Sequence, residues 1–548
     1  MREAAKRRRA RLIGAGAITL TASLVLSGCT LIQELQTPDE QQSNEEENDG
    51  GSEGAVGIPE SVAPGGEDFY EQGIEWGECP EEYAAVDDTA ECAYVDAPLN
   101  WAEPGSDDPI ELALVKLPAT GGNSQGALFT NPGGPGAGGV DFVAQSGDYM
   151  FSSDLRENFD IVGWDPRGVG NSSAVYCVDD AGMDDYLYGV PDGYADMSED
   201  ELLAYQQAKA AAFGDSCYEN TGPLLEYVDT KSTVQDLDML RYVVGEGSAL
   251  NYFGFSYGTD IGAQYIDMFP EQVGRVVLDG ATDPTVPMFD VILDQQEKFS
   301  DSIRAYLEDC LTSAECPFDQ AGGVDGAIDE ISDIMNDVDE TTPRAADGRV
   351  FTSSVIYQAI VAGMYDETSW QYVTQAFVQW ERNKDSSIFF SLTDSYNGRD
   401  PSGTYYSNQE EAFTAINCLD YPLVTDKATI KAFNQKLQDV TLFQAPMTEA
   451  QLEVGDVTCE NWPVQSRVTE QEPVVGAGAA PVLVVATTND PATPLKWAEA
   501  VAEQLESASL LVYEGEGHIA YDEGSECVIG TVDGYLITGN LPEGDINC

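Results

Sequence analysis

One histidine, His518, serves the whole 548-residue chain, and it stands in SLLVYEGEGH near the C-terminus. Far upstream, Ser256 lies between two glycines in NYFGFSYGT. A serine hydroxyl becomes a nucleophile when an imidazole takes its proton, and the same imidazole then protonates the leaving group. If that chemistry runs here, the general base is identified by elimination. Taken alone, His518 is equally a rare residue left over by composition, so the neighbouring motifs decide.

Gly254, Ser256 and Gly258 fit G-x-S-x-G. Gly122, Ser124 and Gly126 fit it too, but no strand directly precedes them and no helix follows. Ser256 has both, strand-like NYFGF before it and helix-like TDIGAQYIDMF after it. Small residues on either side let the chain make the tight strand-to-helix turn that exposes a strained serine. Ser256 is therefore the candidate nucleophile. An acyl-transfer site also needs backbone N–H groups aimed at the developing oxyanion. NPGGPGAGG, residues 131–139, follows the strand-like ALFT and lets the backbone approach a ligand closely. The donors assigned are the N–H groups of Gly134 and Tyr257, with Gly133 in support. A phosphate-binding loop is the competing reading, but neither G-K-[ST] nor a dinucleotide glycine pattern follows. For the acid that orients His518, Asp490 ends the buried-strand pattern PVLVVATTND, and Asp279 in RVVLDGATDP is its rival. Asp490 places acid and base on the last two strand ends and is preferred.

These groups need a scaffold. Apolar, β-branched runs recur at Ile110–Leu117, Ala127–Thr130, Phe159–Trp164, Tyr252–Phe255, Arg275–Leu278, Val482–Ala486 and Ser509–Tyr513. Helix-length patterns such as Ser232–Val244 and Leu495–Leu505 lie between several of them. The alternation predicts an α/β fold with a mostly parallel sheet, whose functional loops gather at the carboxyl ends of the strands. From about Pro287 to Gln465 the pattern turns helical and aromatic-rich, which predicts a helical cap inserted between two late strands. The expected organisation is core 69–286, cap 287–465 and core again 466–548.

The first residues are basic, an uncharged apolar run follows, and Leu26-Ser27-Gly28-Cys29 closes it. This reads as a signal peptide over 1–28, too short to span a bilayer as a helix. LSGC resembles a bacterial lipobox, so Cys29 is the expected lipidation site and membrane anchor; the alternative is an ordinary secreted protein with a chance cysteine there. Residues 29–68 are acidic and rich in Gly and Pro, and they read as a flexible tether. The chain carries 25 basic and 97 acidic residues, a net charge of −72. Such a surface repels nucleic acid and keeps a protein soluble and monomeric. Of eleven cysteines, ten remain once Cys29 is set aside, an even number suited to an oxidising exterior. Local spacing pairs Cys79 with Cys92, Cys177 with Cys217, Cys310 with Cys316, Cys418 with Cys459 and Cys527 with Cys548. Ten cysteines admit on the order of a thousand pairings, so spacing does not fix the connectivity. With no C-x-x-C pair and a single histidine, no metal site is expected.

Together, NPGGPGAGG, DIVGWDPRGVGNSS, YFGFSYGTDIGAQY, VVLDGATDP, NDPATP and GEGH resemble the secreted actinobacterial tripeptidyl-aminopeptidase group of α/β-hydrolases, relatives of the prolyl iminopeptidases. The tail CVIGTVDGYLITGNLPEGDINC resembles that group's TAP-like C-terminal region. The likeness runs from roughly Trp76 to Cys548, with the cap matching least. It implies an α/β-hydrolase fold, the triad Ser256, Asp490 and His518, and Thr493 as a supporting residue near the acid. It also implies an extracellular serine exopeptidase, without cofactor, that releases tri- or dipeptides from a peptide with a free N-terminus. A carboxylesterase or lipase would use the same triad. Prolyl iminopeptidases carry HGGPG where this chain has Pro132-Gly-Gly-Pro-Gly; the glycines that supply N–H groups remain. Asp260, just after the elbow, departs from the expected aromatic or small residue and reads as a helix-start charge. Exopeptidases pair the substrate ammonium with carboxylates. The cap is expected to supply them, with Asp420 in NCLDYP as the nominee.

Overall fold

The computed structural model describes residues 57–548, apart from 81, 82, 84–86, 88, 444, 445, 523, 542 and 543. The signal segment, Cys29 and the tether up to residue 56 lie outside the described residues. Ten strands form one sheet: β1 (Gly77–Glu78), β2 (Glu91–Ala97), β3 (Ile110–Leu117), β4 (Ala127–Asn131), β5 (Asp160–Trp164), β6 (Leu250–Phe255), β7 (Val273–Asp279), β8 (Val482–Asn489), β9 (Ala508–Glu516) and β10 (Ile546–Asn547). Their order is β1-β2-β3-β5-β4-β6-β7-β8-β9-β10. From β5 onward along that order every pairing is parallel, while β1, β2 and β3 join antiparallel.

The parallel strands are buried on both faces, because side chains alternate across a strand and helices cover each side. On β6, Tyr252 belongs to the core on one face of the sheet, whereas Phe253 and Phe255 belong to the core on the other. On β7, Val276 and Leu278 face one way and Val277 the other. Six of the seven runs read as strands from the sequence fall inside strands of this sheet, and the seventh, Phe159–Trp164, begins one residue before β5. Unread were β2, with its mixed ECAYVDA, and the short β1 and β10.

Between β7 and β8 the chain forms helices, the first Met288–Thr312 and the last Val457–Glu460. This is the segment read as a cap. A second helical excursion, unread from the sequence, leaves the sheet after β5: Asp180–Tyr188 and Glu199–Thr221. It packs on the cap segment through Tyr188 against Phe390 and through the Arg399–Asp184 ion pair. The expected tether boundary at 68 needs correcting. Gly57 O already accepts from Arg241, Ile58 and Val62 pack against the core, and the Tyr70 hydroxyl donates to buried Asp238 at 2.8 Å. Two apolar side chains in an otherwise polar stretch suffice to lay residues 57–68 on the core.

All five disulfides suggested by local spacing are present: Cys79–Cys92, Cys177–Cys217, Cys310–Cys316, Cys418–Cys459 and Cys527–Cys548. The fourth ties the end of the helix Gln409–Asp420 to the last helix before β8, and the fifth fixes the C-terminus to the helix Glu526–Thr538.

Candidate active site

Ser256 ends β6 and precedes the helix Tyr257–Met268, with φ 55° and ψ −126°. A non-glycine residue is rarely held there, and the surroundings explain why this one is. Its N–H donates to Asp279 O at 2.9 Å, and its carbonyl accepts from the Thr259 N–H and hydroxyl. The flanking glycines are required by contact. A Cβ on Gly254 would stand 2.5 Å from Gly258 O, and one on Gly258 would stand 2.5 Å from Asn131 O. Ser124, the other motif match, is exposed in a loop and bonds with Gly126, two residues on.

The glycine-rich loop after β4 is pressed against this turn. Gly133 has φ 109°, and a Cβ there would meet Phe255 O and Ser256 Cβ, each at 2.8 Å. Its N–H donates to Asn131 Oδ1. Gly134, φ 103°, lines the cavity beside Ser256. Tyr257 is the first residue of its helix, so its N–H has no intrahelical partner. The two N–H groups named from the sequence therefore belong to two segments packed together beside Ser256, a Cβ on Gly133 standing 3.1 Å from Tyr257 N. Farther along, Asp165 of the GWDPRG motif anchors the loop. It accepts from Val140 N at 2.8 Å and Asn171 N at 2.7 Å, and burial pushes its carboxyl up to about 7. Arg167 in the same motif forms a fully buried two-pronged pair with Asp236. The motif is thus structural support rather than chemistry.

His518 follows β9. Its Nδ1 lies 2.8 Å from Asp490 Oδ2 and 3.0 Å from Oδ1. An ionised carboxylate only accepts, so Nδ1 carries the proton and Nε2 keeps a lone pair. Asp490 also accepts from the N–H groups of Ala492 and Thr493 at 2.8 Å each, and from the Thr493 hydroxyl at 2.8 Å. The Thr493 oxygen lies 3.3 Å from His518 Nδ1. Ser256 Oγ and His518 Nε2 are buried and, among the described residues, without a hydrogen-bond partner. They line one cavity of about 220 Å³.

Asp279 has a different task. Its carboxylate accepts from Ala520 N at 3.0 Å and Tyr521 N at 2.8 Å, bracing the turn just after His518. Burial pushes it up to about 6. In that turn Ile519 is held at φ 75°, strained for a β-branched residue. The cap segment contributes as well. Tyr365 O accepts from His518 N at 2.9 Å, and its ring packs edge-on to the imidazole, centroids 5.6 Å apart. Nothing in the sequence marked Tyr365, since an aromatic in an amphipathic helical run reads as core.

Asp420 does not join the Ser256 cavity. It accepts from the Thr230 N–H and hydroxyl and lines a separate small cavity behind Tyr257. Asp260 lines that same cavity, bonded to Gln264 at 3.0 Å and pushed up to about 6 by burial. Asp260 stands in the first turn of the helix Tyr257–Met268, the position read from the sequence.

The α/β hydrolase fold family model matches residues 126–321, and the TAP-like protein model matches residues 445–548. Serine protease Hip1 of Mycobacterium tuberculosis is 33% identical over 490 residues, covering 87% of this chain and 91% of that protein. Carboxylesterase B of the same species is 33% identical over 486 residues, covering 86% and 89%. Tripeptidyl aminopeptidase of Streptomyces lividans is 27% identical over 483 residues, covering 87% and 86%. The nucleophile turn, the sheet and these relatives define a serine hydrolase. The chain belongs to the TAP-like, tripeptidyl-aminopeptidase-related family of α/β-hydrolases.

Proposed function

We propose that this hydrolase is an extracellular exopeptidase that removes tri- or dipeptides from the free N-terminus of peptides, tethered to the membrane by a lipid on Cys29. The observation that carries the reading is the shared cavity: an unpartnered nucleophile and an unpartnered imidazole nitrogen open into one space roofed by cap helices. In this reading Ser256 Oγ attacks the scissile carbonyl while His518 Nε2 takes its proton. Asp490 holds the proton on Nδ1 and stabilises the imidazolium, and Thr493 fixes the carboxylate. The N–H groups of Gly134 and Tyr257 receive the oxyanion. His518 then protonates the leaving amine, and water releases the acyl group by the same route. The cap residues over the cavity, among them Tyr365, Leu392 and Tyr406, favour exopeptidase action, because a partly roofed cleft admits a chain end more readily than the middle of a folded protein. The basic, apolar, LSGC-ended N-terminus supports export and lipidation.

One relative named a carboxylesterase keeps ester hydrolysis as a second reading. Hydrolysis of Ala-Pro-Ala-p-nitroanilide compared with its N-acetylated twin separates the two. Strong preference for the free amine supports the aminopeptidase. Equal rates, or cleavage only of p-nitrophenyl esters, would overturn it. Fluorophosphonate labelling that disappears in Ser256→Ala checks the nucleophile itself.

A further inference from the structure

Among the described residues the wall of the Ser256 cavity carries three carboxylates, Asp141, Asp366 and Asp522, and no lysine or arginine. Acidic residues abound in this chain, so their presence alone says little. The cavity, however, also receives the unpartnered Ser256 Oγ and His518 Nε2, 4% and 7% exposed by residue, which mark where a substrate carbonyl must lie. The three acids differ in how they are held. Asp366 is engaged, accepting from the Thr368 N–H at 2.7 Å and hydroxyl at 2.6 Å. Asp522 lies four residues past His518 and close to Asp366, whose charge adds to burial in raising it. Asp141 stands in the first turn of the helix Gly139–Met150, directly after the glycine-rich loop. Among the described residues its carboxylate has no hydrogen-bond or ion-pair partner, and burial pushes it up to about 6. A desolvated carboxylate left in that state is relieved by a bound cation.

Direction chooses between Asp141 and Asp522. His518 delivers its proton to the leaving amine, so the departing peptide lies on the His518 side of the cavity; Asp522, four residues on, is solvent-exposed, whereas Asp141 is half-buried. On that reading the acyl part extends away from His518, toward the wall that carries Asp141 and Tyr406, which lie close enough for the Asp141 charge to act on the Tyr406 hydroxyl. In an aminopeptidase the acyl part ends in the free ammonium group. Building on the exopeptidase reading above, we infer that Asp141 is the carboxylate that binds the substrate's N-terminal ammonium, and so sets the enzyme's preference for peptides with a free amine. The reader of the amine thus comes from the core, at the end of the oxyanion loop, rather than from the cap.

The test uses the full enzyme with Ala-Pro-Ala-p-nitroanilide and its N-acetylated twin. Asp141→Asn is expected to shrink the ratio of the two kcat/KM values by about 10- to 100-fold, the worth of a charge-assisted contact in a sheltered site. The loss should fall mainly on KM, because the ammonium is held alike in ground and transition states. Asp141→Glu, which keeps the charge, should retain most of the ratio. If the wild type prefers the free amine and Asp141→Asn keeps that preference, the inference is overturned and the exopeptidase reading stands. If the wild type shows no preference, both fall. Equal loss on the two substrates would make Asp141 structural and overturn the inference. So would a collapse of the ratio in Asp522→Asn instead.

Discussion

At the residue scale, two buried aspartates compete for the role of orienting His518, and their partners separate them. Asp490 meets Nδ1 directly at 2.8 Å, while Asp279 meets the backbone two and three residues beyond the histidine. Asp490→Asn puts an amide against Nδ1 and favours the wrong tautomer, so kcat is expected to fall on the order of 10⁴-fold with little change in folding. Asp279→Asn keeps one oxygen for two N–H donors and leaves one unsatisfied. That costs about 1–3 kcal/mol of stability and lowers kcat by roughly ten-fold through a displaced imidazole. Denaturant titration alongside kcat measures both, and reversed effects would exchange the two roles. The order of strand ends made Asp490 legible in the sequence, and the lone histidine made His518 so. Tyr365 and Asp141 were not legible, because a cap aromatic and a first-turn acid each have an ordinary structural explanation.

At the scale of elements, the glycine loop and the nucleophile turn form one packed unit, so a methyl group at their interface tests it. Gly133→Ala would set a Cβ 2.8 Å from both Phe255 O and Ser256 Cβ, at a φ that alanine resists. The loop must retreat from the oxyanion position. Loss of one well-placed donor is worth about 10²- to 10³-fold in kcat, and at least that is expected. Thermal unfolding should move by only a few degrees, since the loop lies beyond the carboxyl end of β4 and bears none of the sheet's own pairing. Activity retained within a few-fold would mean the loop does not serve the oxyanion. The central strands were legible because burial on both faces leaves continuous apolar runs. β2 was not, because ECAYVDA mixes a disulfide cysteine and acids into an alternating edge-side strand. The excursion Glu199–Thr221 escaped notice because its buried face rests on a few residues, among them Leu202, Phe213 and Cys217, spread over a long polar and alanine-rich helix.

For the whole molecule, the decisive quantity is acidity, both in the net charge of −72 and in the carboxyls that folding buries. Burial raises Asp141, Asp260 and Asp279 to about 6, Asp165 and Glu410 to about 7, and Glu411 to about 8. Unfolded, such groups titrate near 4. Between about pH 4 and 8 the native state therefore binds more protons than the unfolded state, and stability falls as pH rises through that window. Self-repulsion of the surface works in the same direction. Carboxylates held low, such as Asp87 by hydrogen bonds from Thr89 and Asp347 by those from Arg349, act only below it. Calorimetry should accordingly give a Tm several degrees higher near pH 5.5 than near pH 8, with added salt narrowing the gap by screening the surface contribution. Glu411→Gln separates the buried contribution from the surface one. Glu411 is 5% exposed, so removing its ionisation should raise Tm near pH 8 and leave it unchanged near pH 5.5. A Tm that is flat across the window, or a Glu411→Gln effect equal at both pH values, would show that these carboxyls reach solvent in the folded protein.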